Sequence, residues 1–220
     1  MKFKRRFCAP THLQHAVKVG EIIHNPVPST STRHVFYTHS LKLDYAPDFP
    51  VEAKKLTRTI VYFMFINGEL YKIGQTSGQD GIEGCINFYL NAGLDDPGIN
   101  RFAINYLMRQ ELALGNRIEL YYQYMEPLQV LVPGLTGTEG VTTLLSAKSM
   151  EEVCLRQHKA TWGRYPKWNF QEKGEGVPSH IHTLFGQYKI DRKAVDKNQA
   201  PPSSPSLSLI DLPPSPSLER

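Results

Sequence analysis

The sequence predicts an α+β domain built on a small three-stranded antiparallel sheet that is flanked by helices. Residues 59–66 and 69–74 are two runs of β-branched, aromatic and other apolar residues, and Asn67-Gly68 separates them. Asn-Gly between two apolar runs is the strongest short-range signal for a β-hairpin. A third run of this kind, residues 117–124, supplies the third strand.

Two helices complete the predicted core. From Asn100 to Leu114, apolar residues recur at helical spacing, and Gly115 is placed to cap the C-terminus of the helix. A second helix is expected to begin near Ser149. The order strand, strand, helix, strand, helix is typical of an α+β core with an antiparallel sheet.

The composition is that of a folded protein rather than a disordered or membrane-embedded one. With 220 residues, of which 40% are hydrophobic and 21% charged, the chain can bury one core of about 150 residues. No apolar run approaches the roughly 18 residues of a membrane span, and no signal-peptide pattern follows the basic N-terminus. We therefore expect a cytoplasmic protein with no membrane partner. Three widely spaced cysteines without Cys-x-x-Cys spacing argue against a disulfide framework or a zinc site.

Positive charge is concentrated towards the two flanks of the chain. Residues 1–60 contain ten Lys and Arg against four Asp and Glu, residues 61–140 contain four against nine, and residues 141–200 contain ten against six. Basic flanks around an acidic centre suit a polyanion that lies across the arms and a metal that is held by central carboxylates. A basic surface that merely aids solubility is the alternative interpretation.

The chain divides into three predicted segments. Residues 1–57 form a basic, irregular N-terminal arm, and residues 58–190 form the folded domain, with an insertion at 78–98. Residues 191–220 form a disordered tail, because six prolines and six serines from residue 200 onward leave too little apolar surface to offset the ordering entropy. The apolar residues 207–212 are a candidate docking motif for another protein.

Five short motifs occur in an order that is known from one nuclease family. Residues 60–62 are Ile-Val-Tyr and residues 72–74 are Lys-Ile-Gly, followed by an arginine on the next predicted helix, a glutamate on a later one and Pro-Lys-Trp-Asn-Phe at 166–170. This arrangement resembles the GIY-YIG nuclease family, most of all its type II restriction endonuclease members, over about half of the chain. Ile60 stands where the family has glycine and Lys72 where it has tyrosine, and some restriction members carry lysine at the second position.

The resemblance implies a metal-dependent endonuclease that hydrolyses phosphodiester bonds in double-stranded DNA, with sequence specificity of the restriction type. It also implies Mg²⁺ or Mn²⁺ as cofactor. Restriction enzymes are commonly paired across a twofold site, so we expect a homodimer. The insertion at 78–98 and the N-terminal arm are candidate elements for reading the DNA sequence. A DNA-binding module that keeps the fold without catalysis is the alternative.

Tyr62 and Lys72 are the candidate pair for activating water. A free phenol has a pKa of about 10, so Tyr62 could act as a base near neutral pH only if a cation lowered that value, and Lys72 is the obvious cation. A core aromatic and a solvent-facing strand lysine are the alternative interpretations of these two residues.

The geometry of this pair depends on the register of the hairpin. A two-residue type I′ turn pairs Tyr62 with Ile73 and directs Lys72 to the opposite face of the sheet. In that register Tyr71 replaces Lys72 as the candidate for the site. A three-residue loop with Gly68 as a bulge places Tyr62 directly across from Lys72. We predict the second register.

The helix predicted from Asn100 supplies the candidate phosphate clamp. Arg101 lies at its start, and a guanidinium held near the sheet can bind the scissile phosphate by a two-pronged contact. The resemblance implies a histidine or tyrosine one turn beyond this arginine, where Asn105 stands, with Tyr106 as a substitute. Arg109 is expected at the surface.

Glu152 is the preferred metal ligand, and Glu151 is the second candidate. Carboxylate oxygens suit Mg²⁺, which keeps several waters and needs only one or two protein carboxylates. The Glu-x-x-Leu step from Glu152 to Leu155 matches the glutamate that the resemblance implies. The rival interpretation is a capping box from Ser149 to Glu152, which leaves Glu151 as the ligand.

Asn169 is the last candidate for the site. The resemblance implies that its side chain supports the site by hydrogen bonding, while an Asx-turn is the alternative. Trp168 is expected in the core or as a lid against the sheet. His180 and His182 alternate on a predicted strand, and two histidines without a third ligand are assigned to the surface or to phosphate contact.

Overall fold

The computed structural model describes most of the chain between residues 13 and 196. The described segments are residues 13–28, 39–55, 59–77, 80–92, 97–124, 129–133, 139–143, 146–174 and 176–196. The docking motif predicted at 207–212 lies outside these residues, as does the rest of the chain from residue 197. Residues 191–196, which the sequence assigns to the disordered tail, are helical instead. Within the described segments, no helix has both the length and the apolar character needed to cross a membrane.

A five-stranded antiparallel sheet forms the centre of the fold, so the predicted three-stranded sheet is two strands too small. Every neighbouring pair of strands is antiparallel. In spatial order the strands are β2 (His39–Tyr45), β1 (Val17–Pro28), β5 (Ile118–Tyr124), β3 (Ile60–Ile66) and β4 (Glu69–Thr76). A separate two-stranded sheet pairs β6 (Gln129–Pro133) with β7 (Glu139–Thr143).

Strands β1 and β2 come from the stretch that the sequence predicts as an irregular arm. The alternation of β1 is hidden because its register against β5 shifts between Lys18 and Gly20. The fully buried residues Val19 and Ile22 are therefore three positions apart rather than two or four. A side chain at Gly20 would collide with the carbonyl oxygen of Asp44 on β2, so the close approach of these strands requires glycine.

The turn between β3 and β4 is the two-residue turn, so the predicted three-residue loop is wrong. Asn67 and Gly68 have positive φ angles of 48° and 82°. Ile66 pairs with Glu69 across them. Two consecutive positive φ angles between directly paired residues define a type I′ turn.

A β-bulge at Tyr71 then brings Lys72 back to the face of the sheet that carries Tyr62. Met64 pairs with Lys72 and Tyr62 pairs with Gly74, so that Tyr71 is an extra residue in β4. Because side chains alternate along a strand, Tyr62 and Lys72 lie on the same face of the sheet, two residue pairs apart along the ladder. Tyr62 is not directly across from Lys72, as the predicted register had it.

Helices account for most of the remaining described residues. They are α1 (Gly81–Leu90), α2 (Ile99–Ala113), α3 (Ala147–Trp162), the single turn α4 (Phe170–Lys173) and α5 (Ser179–Asp196). Helix α2 and the left-handed Gly115 that follows it confirm the prediction from Asn100. Helix α1 occupies the centre of the predicted insertion. His180 and His182 are exposed on α5 and do not lie on a strand.

Side chains of β3 alternate between two cores on opposite faces of the sheet. Tyr62 and Met64 belong to the larger core, which α1, α2 and α5 cover. Val61 and Phe63 belong to the smaller core, which α3 covers. The face that carries Tyr62 is therefore the face on which α1 packs.

Candidate active site

Tyr62 lies in the middle of the sheet, on the face covered by α1. Its side chain is only 2% exposed, and its hydroxyl donates a hydrogen bond to the hydroxyl of Tyr89 at 3.0 Å. Burial raises the pKa of Tyr62 well above the ordinary value of 10, and the neighbouring Tyr89 adds to the rise. The phenol therefore stays protonated at neutral pH and serves as a hydrogen-bond donor rather than as a base.

Gly74 provides the space for the Tyr62 side chain. A methyl group at position 74 would collide with the hydroxyl and the ring of Tyr62. We expect Gly74→Ala to displace the ring, break the hydrogen bond to Tyr89 and lower the free energy of unfolding by about 1–3 kcal/mol, as overpacked cores do. Urea unfolding measures this change. In the control, Gly186→Ala on α5, nothing lies within 4 Å of the added methyl, so stability should hold or rise slightly. Unchanged stability in Gly74→Ala would contradict this geometry.

Helix α1 supplies two side chains that the sequence analysis did not identify. Cys85 and Tyr89 lie one turn apart on α1, and both interact with Tyr62. The side chains of Tyr62 and Thr76 make hydrogen bonds to the Cys85 thiol. Burial raises the pKa of both Cys85 and Tyr89 to about 12.

Lys72 reaches the same group of side chains from β4. Burial lowers the pKa of Lys72 from its ordinary value of 10.5, while the carboxylates of Glu172 and Glu151 act in the opposite direction. Its Nζ lies 5.9 Å from the centroid of the Tyr89 ring. An amine with a lowered pKa reaches its neutral form more readily than an exposed lysine, which suits it to accept a proton.

Glu151, rather than the preferred Glu152, is the carboxylate that the structure brings towards Lys72. Burial raises the pKa of the half-buried Glu151, and Lys72 partly counteracts the rise. Glu152 is exposed on α3. The cap of α3 is Ser146, whose backbone and side chain exchange hydrogen bonds with Ser149. The capping box predicted from Ser149 to Glu152 is therefore not formed.

These five side chains, Tyr62, Lys72, Cys85, Tyr89 and Glu151, are called the site cluster below. Electrostatic interactions link Glu151 to both Lys72 and Tyr62. A solvent-connected pocket of about 330 Å³ is lined by Tyr62, Cys85 and Tyr89, among others. The two phenols and the thiol of the cluster thus line an opening that can admit a ligand, and the amine and the carboxylate interact with this group electrostatically.

Asn169 closes the outer edge of β4 next to the site cluster. Its Oδ1 accepts a hydrogen bond from the backbone N–H of Ile73 at 2.9 Å, and its Nδ2 donates to the carbonyl oxygen of Ile73 at 2.8 Å. The backbone N–H of Trp168 donates to the carbonyl oxygen of Tyr71 at 2.8 Å. These contacts replace a sixth strand, and they hold the part of β4 that carries Lys72.

We expect Asn169→Ala to lower the free energy of unfolding by roughly 1–3 kcal/mol, because it leaves two buried backbone groups of Ile73 without partners. Asn169 is only 1% exposed, so water cannot easily replace its amide. Urea unfolding is the measurement, with the exposed Gln171→Ala as control. A change in Asn169→Ala no larger than that of the control would contradict the edge-closing role.

Tyr71 points its hydroxyl to a different partner from the site cluster. The hydroxyl accepts a hydrogen bond from Nζ of Lys167 at 2.9 Å. Its ring meets Trp168 edge-on, with the centroids 5.3 Å apart. Trp168 is buried against the sheet, as expected. Tyr71 therefore helps to hold the segment around Asn169 in place.

Arg101 contacts Phe88, the neighbour of Tyr89 on α1. Its Nε donates to the carbonyl oxygen of Phe88, and its guanidinium carbon lies 3.9 Å from the centroid of the Phe88 ring. The structure thus places Arg101 beside α1 in a second pocket that Tyr62 does not line. Arg101 is therefore not among the side chains that line the pocket of Tyr62, and its contact with a phosphate stays a prediction.

Asn105 is buried beneath the end of α1 instead of facing the pocket. Its Nδ2 donates to the carbonyl oxygens of Tyr89 and Leu90 at 2.8 and 3.0 Å, and its Oδ1 accepts from Nε of Arg109 at 2.9 Å. Arg109 is buried, contrary to the surface position expected for it. Asn105 therefore fixes the last turn of α1, and with it Tyr89, rather than a phosphate.

Glu151 of the site cluster and the carboxylate of Glu172 outside it are ligands of the type that a hard divalent cation prefers. In the part of the chain that the structure describes, no three His, Cys, Asp or Glu side chains form a complete metal cage. Glu151 and Glu172 interact electrostatically with each other and with Lys72. Mg²⁺ usually binds through one or two protein carboxylates and fills its other positions with water and phosphate oxygens. This pair of carboxylates meets that requirement.

Comparisons with known proteins give similarities only among solved structures. No protein-family profile and no curated protein sequence matches the chain. The chain is similar to a mutant of bacteriophage T4 EndoII, with 18% identity and a TM-score of 0.45 over 70% of this chain and 91% of that chain. It is also similar to restriction endonuclease HPY188I in complex with product DNA, with 18% identity and a TM-score of 0.35 over 71% and 80%. At such identities, neither similarity assigns a role to any residue here.

Proposed function

We propose that this chain is a metal-dependent DNA endonuclease of the GIY-YIG type, which hydrolyses phosphodiester bonds. The observation that carries the proposal is the site cluster itself, in which two hydrogen-bonded phenols line one pocket and interact with a lysine of lowered pKa and a half-buried carboxylate. Phosphodiester hydrolysis needs a proton acceptor for water, hydrogen-bond donors for the phosphate oxygens and stabilisation of the leaving oxygen. The cluster contains a candidate for each task.

Lys72 is the proposed proton acceptor, in place of Tyr62. Burial shifts the two pKa values in opposite directions, which keeps the phenol protonated and makes the neutral amine more accessible. Neutral Lys72 takes a proton from a water molecule, and the water oxygen attacks phosphorus in line with the departing 3′ oxygen. Tyr62 donates its hydrogen to Tyr89, which leaves the Tyr89 hydroxyl hydrogen for a phosphate oxygen.

Glu151 is the proposed metal ligand, with Glu172 as the second carboxylate. Bound Mg²⁺ or Mn²⁺ would stabilise negative charge on the phosphate and the leaving oxygen. Asn169 fixes the backbone beside Lys72, and Asn105 fixes the turn that carries Tyr89. These two amides keep the reacting groups in position, which contributes to catalysis because small displacements of reacting atoms are costly.

Sequence-specific, restriction-type cleavage of double-stranded DNA by a homodimer is part of the same proposal. The basic flanks of the chain supply attraction to phosphates. A twofold pair of sites would cut both strands at a symmetric sequence.

The raised pKa of Tyr62 favours a second candidate function, a DNA-binding module without catalysis. A protonated phenol cannot accept a proton, and Arg101 and Asn105 are engaged on α1. If Lys72 does not act as a base, the same surface would bind DNA and leave it intact.

Incubation of the purified chain with supercoiled plasmid and mixed linear DNA separates the two functions. The endonuclease converts the plasmid to nicked or linear forms with Mg²⁺, and EDTA stops the reaction. A binding module retards the DNA in a gel and leaves it uncut under both conditions. Sequencing of the product ends reports the recognition sequence and the cleavage pattern.

A further inference from the structure

Phe88 is an exposed aromatic side chain at the border of two pockets. It lies on α1, next to Tyr89, and is 52% exposed. The pocket of the site cluster and a second pocket of about 450 Å³ share Asp80, Gly84 and Phe88 in their linings. The two pockets are therefore contiguous along α1, and Phe88 stands where a ligand would pass from one to the other.

The Phe88 ring is in contact with two neighbouring side chains. The guanidinium of Arg101 lies 3.9 Å from its centroid, and Tyr89 meets it edge-on with the centroids 5.6 Å apart. An exposed aromatic ring with a fixed orientation loses little conformational entropy when a ligand stacks on it. A stacked guanidinium also adds cationic character to such a platform.

The charges around the second pocket do not suit a phosphate clamp. Lys55 and Arg101 supply two positive charges, while Asp80 and Glu83 supply two negative charges. Lys55 lies 4.0 Å from Glu83, which partly neutralises it. With no excess of positive charge, the element most able to bind a nucleotide here is the ring itself, because every nucleobase has a face that stacks on an aromatic.

We propose that Phe88 stacks on an unpaired nucleobase of the strand that is to be cut, close to the scissile phosphate. This inference rests on the proposed DNA substrate. It adds a subsite that stacks on a nucleobase to the site that acts on the phosphate. A base inside an intact duplex has both faces covered, so stacking on Phe88 requires that base to leave its partner. Unpairing is easiest where the partner is mismatched.

Affinity for DNA in EDTA tests this subsite without cutting, so the result does not depend on whether the chain is a nuclease or a binding module. The probes are short duplexes with a matched base pair or a single mismatch, and single strands that contain 2-aminopurine. We expect Phe88→Leu to bind the mismatched and single-stranded probes roughly 5- to 100-fold more weakly than wild type. Phe88→Trp keeps a stacking face and should retain wild-type affinity.

Fluorescence of 2-aminopurine gives an independent readout, because a stacked base is quenched. Quenching on binding should occur with wild type and Phe88→Trp, and should be lost with Phe88→Leu. The control is Ile190→Ala, which removes another exposed apolar side chain, on α5. Equal affinity, quenching and mismatch preference in wild type and Phe88→Leu would overturn the proposal, even if the wild-type chain cuts DNA.

Discussion

Replacement of Lys72 by methionine should reduce the single-turnover rate of DNA cleavage by roughly 10²- to 10⁴-fold, which is the usual contribution of a positioned proton acceptor. Methionine keeps much of the apolar length of the side chain and removes the amine. Lys72 interacts with Glu151 and lies above the Tyr89 ring, so its loss removes an amine that interacts with the carboxylate of the site.

The pH dependence of cleavage identifies the role of Lys72 more specifically. Because burial lowers its pKa from 10.5, the neutral amine becomes available as the pH rises, and the wild-type rate should rise and level off below that value. The Lys72→Met variant should lose this rise. Lys193→Met, at an exposed position on α5, is the control and should cut like wild type. A wild-type pH profile in Lys72→Met would contradict the assigned role.

Replacement of Glu151 by glutamine should reduce metal-dependent cleavage by roughly 10³-fold or more, since a divalent ion contributes several kcal/mol to the stabilisation of charge in the transition state. Glutamine has the same shape as glutamate but binds Mg²⁺ weakly. Glu152→Gln is the matched control, because this side chain is exposed at the next position of the same helix. Cleavage rates against Mg²⁺ concentration measure both variants. Equal losses in the two variants would contradict the assignment of Glu151, rather than Glu152, as the metal ligand.

Stability should move in the opposite direction from activity in Glu151→Gln. Burial raises the folded-state pKa of Glu151, so the ionised carboxylate is disfavoured in the folded protein. The stabilising contribution of such a group is complete below the unfolded-state pKa and is lost as the pH rises through the raised value. At neutral pH the glutamine variant should therefore unfold at the same or a higher urea concentration than wild type. Loss of activity is then not a folding defect.

The parts of the fold that the sequence predicts are those in which local signals agree with tertiary packing. Asn67-Gly68 supports the tightest hairpin turn on its own, because both residues tolerate positive φ. Helix α2 carries a regular apolar stripe and ends at a left-handed glycine. Asn169 could be predicted because the short segment 166–170 matches a family pattern. Its two hydrogen bonds to the backbone of Ile73 explain why an asparagine is needed at this position.

The bulge at Tyr71 could not be predicted from β4 alone, because the groups that pair with this part of the strand lie elsewhere in the chain. Strand β4 is at the edge of the sheet, and its outer backbone groups are paired with Trp168 and Asn169. Asn169 is 96 residues away from Ile73 in sequence. The alternation of residue types within β4 gives no information about a partner so far away in sequence. Since one bulge reverses the facing of every later side chain, the position of Lys72 depended on this distant contact.

Helix α1 was missed because its glycines and the absence of a side-chain N-cap resemble a loop. Two glycines in a helix of ten residues cost about 1–2 kcal/mol relative to alanine, so local propensity argues against the helix. The signal that could have found it is the four-residue spacing of Ile82, Ile86 and Leu90, all of which are buried.

We propose that Lys72 and Glu151 act on the same phosphodiester bond. A double-mutant cycle with Lys72→Met, Glu151→Gln and the double variant measures this coupling through single-turnover cleavage rates with Mg²⁺. Residues that act as one unit show losses that do not multiply, so the double variant should be about as slow as the slower single variant. Losses that multiply, or a single variant that cuts like wild type, would contradict the claim.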